Sequence, residues 1–224
     1  MVAQTGEIGS MSTAREEILR RINSVKHGAA DEPVPRNYNQ TGALDTAGRM
    51  ELFCDRLRDY GSIVHHAGSS RIAAVIGEIL SERGKRGLLI SPGLPEAWLP
   101  GGFTFARDHS LSYPEIDSSE GILTGCAVAI ALTGTIVLCH SEQEGRRALT
   151  LIPDYHLCVV FENQVVETVS EGISAMGAFA CSPITTISGP SATSDIEMTR
   201  IKGVHGPRML EVILVSATEE EVRR

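Results

Sequence analysis

The sequence lacks the patterns that mark several large functional classes. None of its five cysteines forms a Cys-x-x-Cys pair, so no close spacing points to zinc or to an iron–sulfur cluster. No apolar run approaches the roughly eighteen residues of a membrane span, and the N-terminus has no basic start followed by an apolar stretch. We therefore expect a cytoplasmic protein with buried thiols and with no metal or cofactor bound in this chain.

The chain also lacks an excess of basic residues. Its formal net charge is -8 and its pI is about 5.4, which argues against a general nucleic-acid or anionic-membrane surface. With 224 residues, 42% hydrophobic and 21% charged, it has the composition of an ordinary globular protein with one sizeable core. Its 22 glycines indicate many tight turns or close backbone approaches to a ligand.

The first part of the chain predicts a helical segment followed by a linker. Thr13 and Glu16 form a capping box, and Ile18, Leu19, Ile22 and Val25 recur at helical spacing behind it. Residues 27–41 mix Gly, Asp, Pro and Asn without periodicity. We expect residues 1–42 to be an N-terminal helix and flexible linker, and residues 43–224 to be an α/β domain.

The remainder alternates between strand and helix patterns. A helix is predicted over 45–60, a strand over 62–67, a helix over 71–82 and a strand over 87–91, and this order implies parallel pairing of the two strands. Later strands are predicted over 156–161, 184–187 and 210–216, with a helix over 166–179. The pattern predicts an open, mostly parallel sheet flanked by helices.

Two glycine-containing turns stand out as candidates for a binding site. Thr133 and Gly134 interrupt an apolar stretch and predict a β-hairpin, and the loop from Ser188 to Asp195 follows a predicted strand. The loop ends in a capping box over 194–197, and a helix start there would attract an anion. It matches neither a Walker loop nor a dinucleotide fingerprint, so it indicates no particular nucleotide.

We predict that these turns and the Gly203–Pro207 segment meet at the carboxyl ends of the sheet strands, where open α/β sheets form their crevices. His205 is the best candidate acid or base because two glycines lie close to it and its unperturbed pKa is near neutral. Asp195 is the candidate for orienting His205. The predicted ligand-binding residues are Thr133, Gly134, Thr135, Ser188, Gly189, Pro190, Ser191, Thr193 and Gly206. Turn formation and helix capping remain alternative roles for all of them.

Four segments resemble the LUD-domain family and, within it, the lactate-utilisation protein C subfamily. They are GCAVAIALTGTIVL (125–138), RRALTLIPDYHLCVV (146–160), ISGPSATSDIE (187–197) and KGVHGPRMLEVILV (202–215). The resemblance implies a CoA-transferase-like fold and a role in L-lactate oxidation, with iron–sulfur clusters carried by partner proteins of the same system. The chain departs from the family pattern at Leu132, where the family usually has Glu.

Three functions follow from these observations. The first is a component of an L-lactate oxidation system that binds a small anionic ligand at the Ser/Thr/Gly-lined crevice. The second is a stand-alone enzyme acting on small phosphorylated or CoA-linked acids, which rests on fold analogy. The third is a non-catalytic assembly subunit, which Leu132 favours because it removes an acidic side chain. The sequence leaves open whether the chain is an enzyme.

Overall fold

The computed structural model describes residues 14–26, 37–177, 182–194, 200–202 and 206–216, with the backbone alone for 25–26, 192–194 and 200–202. The chain divides into two compact units, Met1–Tyr38 and Asn39–Arg224. The first contains helix α1 (Ala14–Lys26), whose start is acidic, as suits a helix N-terminus. Glu17 pairs there with both Arg20 and Arg21.

The second unit is built around a six-stranded sheet. In spatial order its strands are β1 (Ile63–Gly68), β12 (Met209–Ser216), β7 (Tyr155–Phe161), β4 (Ile122–Thr124), β2 (Gly87–Ile90) and β3 (Thr104–Arg107). Every neighbouring pair is parallel. The predicted α/β class is therefore confirmed. The central strands β7 and β12 are almost entirely buried, which accounts for their continuous apolar sequences.

One face of this sheet is covered by helix α3 (Ile72–Glu82). Its buried side chains, Ile72, Val75, Ile76, Ile79 and Leu80, recur at helical spacing and pack against the outward side chains of β7, β12 and β2. A 3₁₀ turn (Ser69–Arg71) leads from β1 directly into α3. A second 3₁₀ turn (Glu96–Trp98) lies in the proline-rich segment after β2.

The opposite face carries a second sheet and helix α2 (Thr46–Asp59). The second sheet has the order β8 (Val165–Val166), β5 (Val128–Ile130), β6 (Thr135–Leu138) and β9 (Thr185–Ile187). Residues of α2 and of β5 and β6 share one apolar core with β7 and β12. Helix α6 (Val169–Met176) packs through Met176 on the far side of the small sheet. The domain therefore stacks helix, large sheet, small sheet and helix.

Short helices and a hairpin complete the described domain. Helices α4 (Tyr113–Asp117) and α5 (Arg147–Leu151) pack together against β2 and β4 through Ile116 and Leu149. Strands β10 (Ala192–Ser194) and β11 (Arg200–Lys202) form an antiparallel pair. Ser194 is thus the last residue of a strand, and the predicted helix start at 195–197 lies outside the described residues.

The sequence predictions of local structure hold better than those of strand pairing. Helix α2 begins after Asp45, whose side chain accepts a hydrogen bond from Gly48 N, and Gly61 follows its end with φ +85°. Helix α6 starts at residue 169, later than predicted, because Thr168 and Glu171 form a capping box. The predicted pairing of β1 with β2 is wrong, since β12, β7 and β4 lie between them.

Four of the five cysteines, Cys54, Cys126, Cys139 and Cys158, are buried free thiols, as predicted. Cys181 lies outside the described residues. In the part of the chain that the structure describes, no helix is long and apolar enough to cross a membrane. Over the same residues, no three His, Cys, Asp or Glu side chains are grouped in a way that would hold a metal ion.

Candidate functional site

A crevice of about 240 Å³ lies beside the first residues of β7 and β12. Its walls are α5, strand β9 with the loop that follows it, and residues Gly206 and Pro207. The described lining residues are Thr150, Leu151, His156, Thr185, Thr186, Ile187, Ser188, Gly189, Pro190, Ser191, Gly206, Pro207 and Leu210. Among them, five carry hydroxyl groups, and none is Asp, Glu, Lys or Arg. We call this the amino-end crevice.

The loop after β9 is fixed by backbone geometry. Gly189 has φ +86°, and a Cβ placed there would lie 2.5 Å from Tyr60 Cβ, so only glycine fits against the end of α2. Ser191 N donates to Pro207 O at 2.8 Å, which ties the loop to the segment before β12. The loop therefore has a defined position over the crevice.

The hairpin turn between β5 and β6 supports this loop from behind. Thr135 Oγ1 lies 2.7 Å from Ser188 Oγ and 2.7 Å from Thr133 Oγ1, so the three hydroxyls form one chain of hydrogen bonds. Gly134, with φ +58°, approaches Arg56 so closely that a Cβ would lie 2.7 Å from Arg56 Cβ. The predicted convergence of the two turns is thus observed. Thr133 and Thr135 bind the loop and are not among the crevice-lining residues.

His156 is the one ionisable side chain among the described residues that line the crevice. It is fully buried, its Nε2 lies 2.8 Å from Thr124 Oγ1, and its Nδ1 has no hydrogen-bond partner. Thr124 also contacts Cys158 Sγ at 3.8 Å, and that thiol contacts Gly125 O at 3.5 Å. When His156 Nε2 donates to Thr124 and Thr124 donates to Cys158, Nδ1 keeps a free lone pair. Hydrogen bonds from Cys126 above all, and from His156 and Thr124, lower the pKa of the Cys158 thiol.

A thiol lies beside this chain but is unsuited to nucleophilic chemistry. Its hydrogen bond with Cys158, together with burial, raises the pKa of the Cys126 thiol well above the usual range. Cys126 Sγ also lies 3.4 Å from Gln164 Oε1, and the Gln164 amide donates to Cys126 O at 2.7 Å. At neutral pH Cys126 is protonated, and the thiolate is the reactive form of cysteine.

A neighbouring open cavity at the carboxyl ends of β2 and β3 is lined by charged and polar side chains that are already paired. Arg146 pairs with the buried Asp108 through Nε at 2.6 Å and Nη2 at 3.0 Å, and its hydrogen bond holds the pKa of Asp108 below the usual value. His140 has both ring nitrogens within 2.8 Å of acceptors or donors, Gly145 O and Thr185 Oγ1. His140 therefore positions Thr185 at the wall of the amino-end crevice.

Five of the nine predicted ligand-binding residues, Ser188, Gly189, Pro190, Ser191 and Gly206, line one crevice. That they bind a ligand stays a prediction. The crevice lies at the amino ends of β7 and β12, and the predicted carboxyl-end position is wrong because α5, β9 and the 206–207 segment meet only at this edge. Thr193 belongs to β10, and the structure describes only its backbone. The catalytic candidates His205 and Asp195 lie outside the described residues.

His156 is not singled out in the sequence analysis. The signal in the sequence is that a histidine stands in the largely apolar run 155–161. The sequence could not show that only one of its ring nitrogens finds a partner. Leu132, which occupies the family's acidic position, is 50% exposed and its backbone N donates to Glu167 O at 3.0 Å.

Comparisons with known proteins agree with this architecture. A family model described as the LUD domain matches residues 50–215. Lactate utilization protein C of Deinococcus radiodurans is 44% identical over 211 residues, covering 93% of this chain and 98% of that protein. Lactate utilization protein C of Bacillus subtilis is 34% identical over 100 residues, covering 42% of this chain and 41% of that protein.

A solved structure shares the fold. The crystal structure of a DUF162 family protein from Deinococcus radiodurans superposes with a TM-score of 0.68 at 40% identity, covering 77% of this chain and 99% of that one. The LUD-domain match spans most of the chain and includes the strands of the large and the small sheet, apart from Ser216 at the end of β12. The chain belongs to the LUD-domain family.

Proposed function

We propose that this protein is a component of a lactate-utilisation system and that its amino-end crevice binds a small hydroxy acid of the size of lactate. The family and the similarity to proteins named lactate utilization protein C support the system. The observation that carries the ligand class is the buried, unpartnered Nδ1 of His156 beside a wall rich in hydroxyl groups.

The chemistry of the crevice matches a hydroxy acid in two ways. A free lone pair on His156 Nδ1 accepts a hydrogen bond from the ligand hydroxyl, which removes the cost of a buried unsatisfied group. Among the wall hydroxyls, Thr150 Oγ1 already donates to Arg147 O, while those of Thr185 and Ser188 pair with His140 and Thr135. The hydroxyl of Thr186 is therefore the wall donor that we assign to the ligand carboxylate. The volume of about 240 Å³ lies below the usual range for drug-sized ligands and suits a molecule of a few heavy atoms.

Under this proposal, partner proteins of the lactate-utilisation system take part in the reaction of the bound ligand. The iron–sulfur clusters that transfer electrons are assigned to partner proteins, because the cysteines of this chain have no close spacing. A stand-alone enzyme on phosphorylated or CoA-linked acids remains the alternative. Purification of the tagged chain from cells that grow on lactate tests the partner assignment, and iron with acid-labile sulfide in the captured proteins is the expected result.

Calorimetry and thermal shift with L-lactate, D-lactate and pyruvate test the ligand class. We expect the hydroxy acids to bind more tightly than pyruvate, because a ketone cannot donate to His156. Replacement of His156→Phe should abolish binding, whereas His66→Phe, on the exposed part of β1, should preserve it. A ligand concentration of about 100 times the dissociation constant raises the free energy of unfolding by about 2.7 kcal/mol. Equal affinity for lactate and pyruvate, or retention in His156→Phe, would refute the assignment.

A genetic test addresses the system independently of the ligand. Lactate utilization protein C of Deinococcus radiodurans is 44% identical to this chain. A strain of that organism without this protein should regain growth on lactate when the present chain is expressed. Growth on glucose serves as the control. Failure to restore growth, with the protein present at normal levels, would count against the proposed system even if the crevice binds lactate in vitro.

A further inference from the structure

A separate cavity of about 620 Å³ lies at the other edge of the large sheet. It is formed at the carboxyl ends of β1, β7 and β12, with the start of α2 as one wall. Its described lining residues are Thr46, Arg49, Ser69, Phe161, Glu162, Asn163, Val215 and Ser216. None of them lines the amino-end crevice. We call this the carboxyl-end cavity.

Arg49 is the cationic side chain of this lining, and its hydrogen bonding is incomplete. Its Nη2 donates to Thr46 Oγ1 at 3.3 Å, while its Nε is buried without any partner. A buried donor on a charged group is costly to leave unsatisfied. Nε and Nη2 form one edge of the planar guanidinium, and an anionic group that replaces the long contact of Nη2 with Thr46 would meet two donors that match two of its oxygens.

Two helical segments also begin at this cavity. Helix α2 starts at Thr46, and the 3₁₀ turn that leads into α3 starts at Ser69, where the preceding residue, Gly68, supplies no side-chain cap. Helix starts carry a partial positive charge and exposed amide groups. The start of α2 is already capped by the Asp45 carboxylate, so the cavity brings together Arg49 and the uncapped start of the segment that leads into α3, opposed by the carboxylate of Glu162 in its described lining.

The opposite side of the cavity is apolar. Val215 is buried, and Phe161 is partly buried with its ring centroid 5.8 Å from that of Trp98. An aromatic ring held by a second ring offers a fixed surface for the uncharged part of a ligand. The volume of about 620 Å³ falls within the range of pockets that hold ligands of nucleotide size.

We propose that the carboxyl-end cavity is a second ligand site, which binds a phosphate-bearing molecule with its phosphate on Arg49 and its apolar part against Phe161. This site is independent of the hydroxy-acid crevice, from which the sheet strands β7 and β12 separate it. The protein would accordingly carry two ligands, one at each edge of the same sheet.

Calorimetry of the full chain with pyrophosphate and with ADP tests the proposal. We expect both probes to bind, and ADP to bind about tenfold more tightly because only ADP has a ring that contacts Phe161. Saturating L-lactate should leave the affinity for ADP unchanged. Absence of binding by both probes at about 1 mM would overturn the proposal.

Three variants distinguish a phosphate contact from a structural role. Arg49→Ala should weaken ADP binding about tenfold, whereas Arg58→Ala, which removes an exposed arginine paired with Asp55 on the same helix, should not change it. Ser69→Asp should raise the thermal midpoint slightly, because an acidic residue stabilises a helix start, and should weaken ADP binding by charge repulsion. Unchanged affinity in both Arg49→Ala and Ser69→Asp would overturn the proposal, even if ADP binds elsewhere.

Discussion

Each face of the large sheet buries an ionisable side chain near the start of a central strand. The two side chains differ in whether all their hydrogen-bonding atoms have partners. On the α3 face, the fully buried Glu211 lies 2.6 Å from His65 Nε2 and 2.6 Å from Arg83 Nε. On the opposite face, His156 has a partner for Nε2 and none for Nδ1. The first network is complete, whereas the second ends at a crevice.

We infer from this difference that Glu211 and its partners stabilise the fold, whereas His156 serves to bind a ligand. Burial raises the pKa of the Glu211 carboxyl, but hydrogen bonds from His65 and Arg83 outweigh it and hold this pKa below its usual value. Every strong interaction of Glu211 is thus made within the protein. The vacant hydrogen-bonding position of His156 instead costs stability unless a ligand fills it. The following predictions test this contrast.

The largest effect is expected when the complete network is broken. Arg83→Ala removes the arginine that pairs with a fully buried carboxylate, which should lower the free energy of unfolding by about 3 kcal/mol. Arg71→Ala is the matched control, because its ion pair with Glu78 is exposed and should contribute no more than about 1 kcal/mol. Urea denaturation measures both, and equal losses would show that Glu211 does not depend on Arg83.

The loop over the crevice should be nearly as sensitive. Gly189→Ala combines a φ of +86° with a Cβ 2.5 Å from Tyr60 Cβ, so we expect a loss of about 2 kcal/mol from conformation and overlap together. Gly61→Ala has nearly the same φ, +85°, with no atom within 4 Å, and should lose only about 1 kcal/mol. Equal losses of unfolding free energy in the two variants would mean that the loop moves away from Tyr60 at no further cost.

The pH dependence of stability should also follow the Glu211 network. Because the folded-state pKa of Glu211 is depressed, its contribution is fully present above its unfolded pKa of about 4.3 and is lost as the pH falls through the folded value. Glu211→Gln should flatten this acid-side decline relative to the unmodified protein. Chemical denaturation between neutral and acidic pH provides the measurement, and parallel curves for the two proteins would exclude Glu211 as a contributor.

The smallest effect on stability is expected at His156. His156→Phe removes a ring nitrogen bonded to Thr124 and also a nitrogen with no partner, so the two changes nearly cancel and the loss should stay below about 1 kcal/mol. Thr124 keeps its contact with Cys158. If His156→Phe lowered the free energy of unfolding as much as Arg83→Ala does, His156 would belong to a structural network, as Glu211 does.

The sequence predicted local elements well because their signals are local. The apolar spacing of α3 and the Thr133–Gly134 break of the β5–β6 hairpin depend on neighbouring residues alone. The existence of a second sheet could not be predicted in the same way. Strands β5 and β6 are buried on both faces, and their partners are a two-residue strand, β8, and the distant β9. Such pairings leave little periodicity to detect.

The composition of the amino-end crevice was partly visible in the sequence, since five predicted residues line it. Its position was not, because a glycine-rich loop looks the same at either edge of a sheet. The role of Arg49 was also hidden, as it occupies an ordinary helical position and only the packing around it leaves Nε without a partner. The partner count of a buried nitrogen depends on residues from several elements.

The sequence by itself determined the longer helices and several strands, the apolar face of α3, the β5–β6 hairpin, and the family. Hydrophobic spacing, capping boxes and positive-φ turns involve residues within a few positions of each other. Tertiary structure alone decided which strands are neighbours, at which sheet edge the Ser188 loop lies, and which buried nitrogens of His156 and Arg49 remain without partners. These properties depend on contacts between residues far apart in the chain, which no local pattern encodes.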